Sequence, residues 1–231
     1  MSLLFEELDF QSTPIGDLML RRRRMPQFGD TDIYEVKLGE HFLMTSLFHE
    51  AESQLSILGL AAIERDNLDV VVGGLGLGYT AAEALKDERV SSLVVVDYLE
   101  AIIGWHENEV VPLGKTLKDD PRCKLVNADF FALMRSAPNK KADIILLDID
   151  HTPTHLLHEA NAHFYSEEGL REMTAHLNPG GVFAIWADGV PEKSFTKQLA
   201  RVFPVAEDHT IEFDNPITGG TSIGAVYVAR L

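Results

Sequence analysis

The chain has 231 residues, 45% of them hydrophobic, and a formal net charge of −16 from 36 acidic and 20 basic side chains. That size and apolar content build one large core with a small appendage and exclude a disordered chain. The negative charge repels phosphate backbones and anionic membranes, which excludes nucleic acid and membrane from the expected partners.

The single cysteine, Cys123, leaves neither an internal disulfide nor a cysteine-based metal site. The opening residues, Met1 to Glu7, carry no basic flank and no signal-like apolar run, and no window reaches the length of a membrane span. The cytoplasm is the expected compartment. One basic run stands out, Arg21-Arg22-Arg23-Arg24, and reads as a solvated strand end rather than a contact for nucleic acid.

The first 50 residues read as a small β segment, with strands over 17–22, 31–38 and 41–45 separated by turns at Pro26, Gly29 and Gly39. Leu55, Leu58 and Ala62 recur at helical spacing and predict a helix over 47–63. From residue 51 to 231 a second unit is expected. Short branched runs at 68–72, 93–96, 124–126, 143–147 and 182–186 alternate with helical stretches at 80–86, 100–109, 131–136 and 167–177. A last helix over 193–202 leads into two closing strands, 206–213 and 222–229. The alternation specifies an α/β fold, a doubly wound, mostly parallel, seven-stranded Rossmann-like sheet of the methyltransferase type.

Open parallel sheets bind ligands at the carboxyl ends of their strands, so the loops there hold the candidate site. After the first strand come Gly73, Gly74, Gly76 and Gly78. Such a turn lets a ligand approach the backbone, or is simply a tight structural turn. Asp97, after the second strand, is placed to accept from ribose hydroxyls or to cap the next helix. Asp129, after the third, is placed for an adenine amino group or, equally, for a helix cap. Asp148 and Asp150 leave the fourth strand as two carboxylates, a costly arrangement unless something charged is bound there. His155 and His158 fall at a spacing that puts both on one face of a helix, beside His151 and His163.

These residues resemble the spermidine synthase (polyamine aminopropyltransferase) family over most of the chain. Segments 119–126, 164–170 and 177–182 are similar to its third-strand entry, a later helix and its fifth-strand entry. Phe48-His49-Glu50 resembles the family's Tyr-His-Glu junction. The resemblance implies S-adenosylmethionine or its decarboxylated form as co-substrate, held by Gly74, Gly76, Gly78, Asp97 and Asp129. It further implies aminopropyl transfer to a small amine, with Asp148 as proton acceptor, His49 and Glu50 toward the amine, and a homodimer; Asp150, which has no clean counterpart in the family, is placed to attract the amine's remaining positive charge.

The chain departs from the family's pattern at Leu77 and Leu99, where acids are expected, and at Asp150, which stands one place early. Two other readings remain. One is a methyltransferase using intact S-adenosylmethionine, metal-assisted if Asp148 and Asp150 hold a hard cation. The other is a silent nucleoside-binding module.

Overall fold

A computed structural model describes residues 4–231. Four antiparallel strands come first, β1 (Phe5–Thr13), β2 (Gly16–Arg23), β3 (Ile33–Leu38) and β4 (His41–Thr45), paired in chain order. Alternation puts Leu18 and Leu20 of β2 and Val36 and Leu38 of β3 on the buried face. The arginine run is absorbed by the sheet itself. Arg21 and Arg23 both clamp the fully buried Glu35, at 2.6 and 2.5 Å, while Arg22 pairs with Glu6 and Arg24 with Asp32.

Helix α1 (Glu50–Ala61) leads into the larger sheet. Its elements run β5 (Leu68–Gly73), α2 (Tyr79–Ala84), β6 (Val90–Asp97), α3 (Glu100–Glu107), α4 (Gly114–Asp119), β7 (Cys123–Asn127) and α5 (Phe130–Arg135). They continue with β8 (Ala142–Leu147), α6 (Glu167–Thr174), β9 (Leu177–Asp188), α7 (Lys193–Leu199), β10 (Val205–Asn215) and β11 (Gly220–Arg230).

The seven strands lie in the order β10-β11-β9-β8-β5-β6-β7. Strands β5 to β9 pair in parallel, and β11 runs antiparallel between β9 and β10. The chain winds outward from β5 through β6 to β7, then returns to β8 on β5's other edge. That reversal opens the crevice in which such sheets bind ligands.

Every residue of β8 is buried, as helices on both faces require. One apolar cluster joins Leu18 and Leu38 of the small sheet to Leu55 of α1 and to Leu75 and Leu77 of the glycine turn. The other, rich in aromatic rings, packs Phe130, Phe164, Phe183 and Phe195 against the opposite face.

The expected architecture holds, with local differences. Strand β1 escaped the sequence pattern because its side chains are half-buried or exposed throughout and lack a regular apolar alternation. The six-residue α4 is too short to show a period. Strand β9 begins at Leu177, where the expected helix over 167–177 was to end; α6 closes at Thr174 instead. Residues 151–158 form no helix, so His155 and His158 do not share a helical face. His155 closes a turn with Thr152, and the His158 ring accepts from the Ala160 amide at 3.2 Å.

Candidate active site

A cavity of about 340 Å³ lies over the carboxyl ends of β5, β6 and β8, a volume suited to a small ligand. Gly74 and Gly76 form its floor, and Asp97, Asp129 and Asp148 face it from three successive loops. Its other wall comes from the small sheet, where the hairpin turn brings in Pro14 and Ile15, the end of β3 brings in Leu38 and β4 brings in Met44.

The turn needs glycine at Gly74. Its φ is 94°, and a Cβ there would run into the Asp148 carbonyl. The Gly76 carbonyl is anchored beneath the turn by the buried His106, whose Nε2–H donates to it at 3.0 Å. Burial holds the His106 ring below the ordinary histidine pKa, so it is neutral at neutral pH. Gly78 does not line the cavity. A Cβ there would strike the His106 ring and Leu117 at 2.8 Å, so this glycine serves the packing of the turn.

Leu77 points into the apolar core and is fully buried. Its side chain therefore does not face the cavity; Gly74 and Gly76 are the half-buried positions of the turn that do. Leu99 does line the cavity, as an apolar wall.

Asp97 ties the two first loops together. Its Oδ2 accepts from the Leu75 amide and its Oδ1 from the Leu99 amide, each at 2.9 Å. Burial raises its pKa, and those amides oppose the rise. The Gly76 amide also bears on it, which leaves the carboxylate one lone pair for a ligand hydroxyl. Asp129 caps α5, with Oδ1 accepting from the Ala132 amide at 3.0 Å, and leaves Oδ2 at the cavity. The capping alternative is thus realised without consuming the residue.

Asp148 is the acid at the centre. Thr80 donates its hydroxyl to Oδ2 at 2.6 Å. Burial nonetheless pushes this carboxyl up to about 6. Facing it from α1 is Glu52, raised to about 8, first by burial and then by the charge on Asp148. Two carboxyls this close retain one proton near neutral pH. The Thr80 hydroxyl favours charge on Asp148, which leaves the proton on Glu52.

Besides Gly78, three expected site residues lie elsewhere. Glu50 is exposed at the start of α1 and accepts from the His49 amide at 2.9 Å. His49 stacks on Tyr79 at 3.8 Å, outside the cavity lining. The acid that α1 delivers is Glu52, two residues on and nearly opposite around the helix.

Asp150 is 2% exposed and ties down its own loop, accepting from the Leu157 amide at 2.6 Å, from Asn161 Nδ2 at 3.0 Å and from the Tyr165 hydroxyl at 2.9 Å. Burial raises its pKa ahead of any other influence. It does not line the cavity with Asp148, so the two do not form the paired site that metal-assisted methylation requires.

Sequence reasoning also missed Trp186, which β9 brings into the cavity lining, and a cluster of His41, His151 and His155 with rings 5.0 to 6.1 Å apart, of which His151 lines the cavity. His163 lies apart, paired with Glu172 at 3.0 Å.

Strand order and the winding of the sheet define a protein of the methyltransferase-like fold class. More narrowly, residues 51–202 match the spermine/spermidine synthase domain, and the chain belongs to that family.

Among its relatives, a polyamine aminopropyltransferase of Aeropyrum pernix is 27% identical over 147 residues, covering 62% of this chain and 46% of the relative. Polyamine aminopropyltransferase 2 of Pseudomonas aeruginosa is 26% identical over 168 residues, covering 68% and 45%. The chain thus spans about half the length of the curated relatives it matches.

The spermidine synthase of Thermotoga maritima superposes with a TM-score of 0.73 at 17% identity, over 97% of this chain and 72% of that one. A spermidine synthase in complex with the transition-state analogue AdoDATO gives 0.75 at 19% identity, over 97% and 73%. These two structures share the fold. No helix among the described residues is long and apolar enough to cross a membrane.

Proposed function

We propose that this chain transfers an aminopropyl group from decarboxylated S-adenosylmethionine to a small amine. The observation that carries the reading is the Asp148–Glu52 carboxyl pair beside the glycine turn, in a chain of the spermine/spermidine synthase family.

Gly74 and Gly76 leave room for the donor against the backbone, while Asp97 and Asp129 offer free acceptor lone pairs to its ribose and adenine. The acceptor nitrogen must be neutral to attack the carbon next to the sulfonium. As the new C–N bond forms, the C–S bond breaks and methylthioadenosine leaves as a neutral thioether. The product nitrogen then sheds a proton, which Asp148 takes. A base titrating near 6 is ionised at neutral pH yet retains affinity for that proton. The sulfonium is already activated, so positioning supplies much of the acceleration. The supporting elements hold still: Thr80 orients Asp148, and His106 fixes the Gly76 carbonyl.

Calorimetry compares decarboxylated S-adenosylmethionine with S-adenosylmethionine. Turnover is read as methylthioadenosine released with an amine present. Preference for the decarboxylated donor, with release that depends on the amine and is lost in Asp148→Asn, is expected. Preference for the intact donor, with methyl transfer, overturns the proposal.

A further inference from the structure

The amides of the glycine turn all have partners within the protein. Gly74 N–H donates to the Val96 carbonyl at 2.9 Å, Leu75 N–H to Asp97 Oδ2 at 2.9 Å and Gly78 N–H to the Leu75 carbonyl at 2.7 Å, while the Gly76 amide also serves Asp97. Leu77 differs in kind. Its N–H donates to Met44 Sδ at 3.1 Å, a neutral thioether that the small sheet supplies and the weakest acceptor of the set.

A break in register puts that sulfur there. Val36 pairs with Met44 and Lys37 with Phe42, so Leu43 is left without a partner on β3. In a regular strand Leu43 and Met44 would point to opposite faces. The bulge lets both line the cavity. The Met44 sulfur then lies on Gly76, where a Cβ would strike it, and covers the turn where it faces the cavity.

S-adenosylmethionine and its decarboxylated form differ by one carboxylate, carried on the arm that runs out from the sulfonium. Among the described residues, the lining holds no lysine or arginine to receive it, only the carboxyls of Glu52, Asp97, Asp129 and Asp148. Its neutral donors are engaged or placed elsewhere. Asn161 Nδ2 is held by both oxygens of Asp150 at 3.0 Å, and Trp186 buries its Nε1 where a Cβ on Gly224 would lie 3.8 Å from it. Tyr98 adjoins Asp97 at the nucleoside end, and His151 and His158 follow Asp148, where the proposed reaction holds the amine. A carboxylate is a far stronger acceptor than a thioether, so the Leu77 amide is the donor it would win, and Met44 stands over that amide.

We propose that Met44 selects the donor: its side chain covers Gly76 and the Leu77 amide and denies a carboxylate-bearing arm the one seat the turn would give it. This rests on the aminopropyl-transfer reading and names the residue that enforces its choice of donor. The decarboxylated arm needs no such seat, and its methylene groups pass over the polarisable sulfur.

Calorimetry on the full chain measures methylthioadenosine, decarboxylated S-adenosylmethionine and S-adenosylmethionine against the unmodified protein, Met44→Leu and Met44→Ala, with thermal melts to check the fold. Methylthioadenosine lacks the arm and serves as the reference. Met44→Ala uncovers the amide and is expected to tighten S-adenosylmethionine by at least about tenfold relative to methylthioadenosine, the effect of one charge-assisted hydrogen bond. The decarboxylated donor should move by less than about threefold. Met44→Leu keeps the cover and should hold the ratio within about twofold. Met44→Val also stops short of the turn, and takes the same measurement if Met44→Ala loses its fold.

A ratio that stays put in the shortened variants, with the decarboxylated donor still preferred, overturns the proposal and leaves the aminopropyl-transfer reading standing. A Met44→Leu ratio that moves as far as that of Met44→Ala overturns it too, because the cover would not be what acts. Preference of the unmodified chain for S-adenosylmethionine brings down the underlying reading and this proposal with it, as does failure of methylthioadenosine to bind.

Discussion

Replacing Glu52 with glutamine should stabilise the fold in alkaline solution while weakening the site. An ordinary glutamate titrates at 4.5, whereas this one is raised to about 8. Below pH 4.5 both folded and unfolded chains hold the proton, and the group makes no difference. Between 4.5 and 8 the unfolded chain releases the proton while the folded chain keeps it. Stability therefore falls as pH rises, by about 1.36 kcal/mol per pH unit, toward a total loss on the order of 5 kcal/mol above pH 8.

Glutamine carries no charge to strand, so Glu52→Gln removes this slope. Relative to the unmodified chain it should gain on the order of 3 kcal/mol between pH 5.5 and pH 9, or about 1 M in the urea midpoint. Urea unfolding of both proteins across that range measures it. Parallel pH curves would refute the reasoning, because they would mean that Glu52 ionises freely in the folded state. Turnover should fall in the same variant, since glutamine cannot carry the charge or proton that the pair shares.

Other perturbations separate the parts of the site. Gly74→Ala drives a Cβ into the Asp148 carbonyl at a φ of 94°; destabilisation on the order of 2 kcal/mol and loss of nucleoside binding are expected in thermal melts and calorimetry. Asp97→Asn leaves either the Leu75 or the Leu99 amide without its acceptor, at a cost of about 1–3 kcal/mol, and methylthioadenosine affinity should drop at least about tenfold; unchanged affinity would remove Asp97 from the ligand. Asp150→Asn sets an NH₂ group against Asn161 Nδ2 and either the Leu157 amide or the Tyr165 hydroxyl, so limited proteolysis should cut within residues 151–160 faster than in the parent, and an unchanged rate would deny the loop's dependence on this carboxylate. Turnover should rise with pH through about 6 as Asp148 gives up its proton, and a flat profile from pH 5 to 8 would dismiss it as the base.

The parts of the site legible in the sequence are those that sit directly after a strand. β8 announces itself by the apolar run 144–147, and the glycine turn, Asp97, Asp129 and Asp148 each fall at or just beyond a strand's carboxyl end. Their place at the crevice is a consequence of chain connectivity alone. Asp150 lies beyond the end of the strand at Leu147, and its side chain is taken up by hydrogen bonds within its own loop, which its position after a strand does not reveal. Glu52 and Trp186 reach the cavity through the packing of α1 and the β8–β9 ladder, contacts that no local pattern encodes. Leu77 was assigned to the ligand side by position in the turn. The backbone path through Gly76 turns it into the core instead.

The cavity lies on a seam. Met44 and Ile15 belong to one hydrogen-bonded ladder, Gly74 and Asp148 to another, and no strand pairs across the gap. Side-chain packing and isolated polar contacts such as Trp105 to Asp9, at 2.7 Å, carry the junction. Anything lodged there touches both ladders at once and works as a rivet between two plates. Occupancy would stiffen the rocking of one plate on the other, and the empty protein would breathe along that line before either sheet loosened within itself. The same seam lets the wall over the chemistry be reshaped through the hairpin tips alone, with the acids and the glycine turn left untouched.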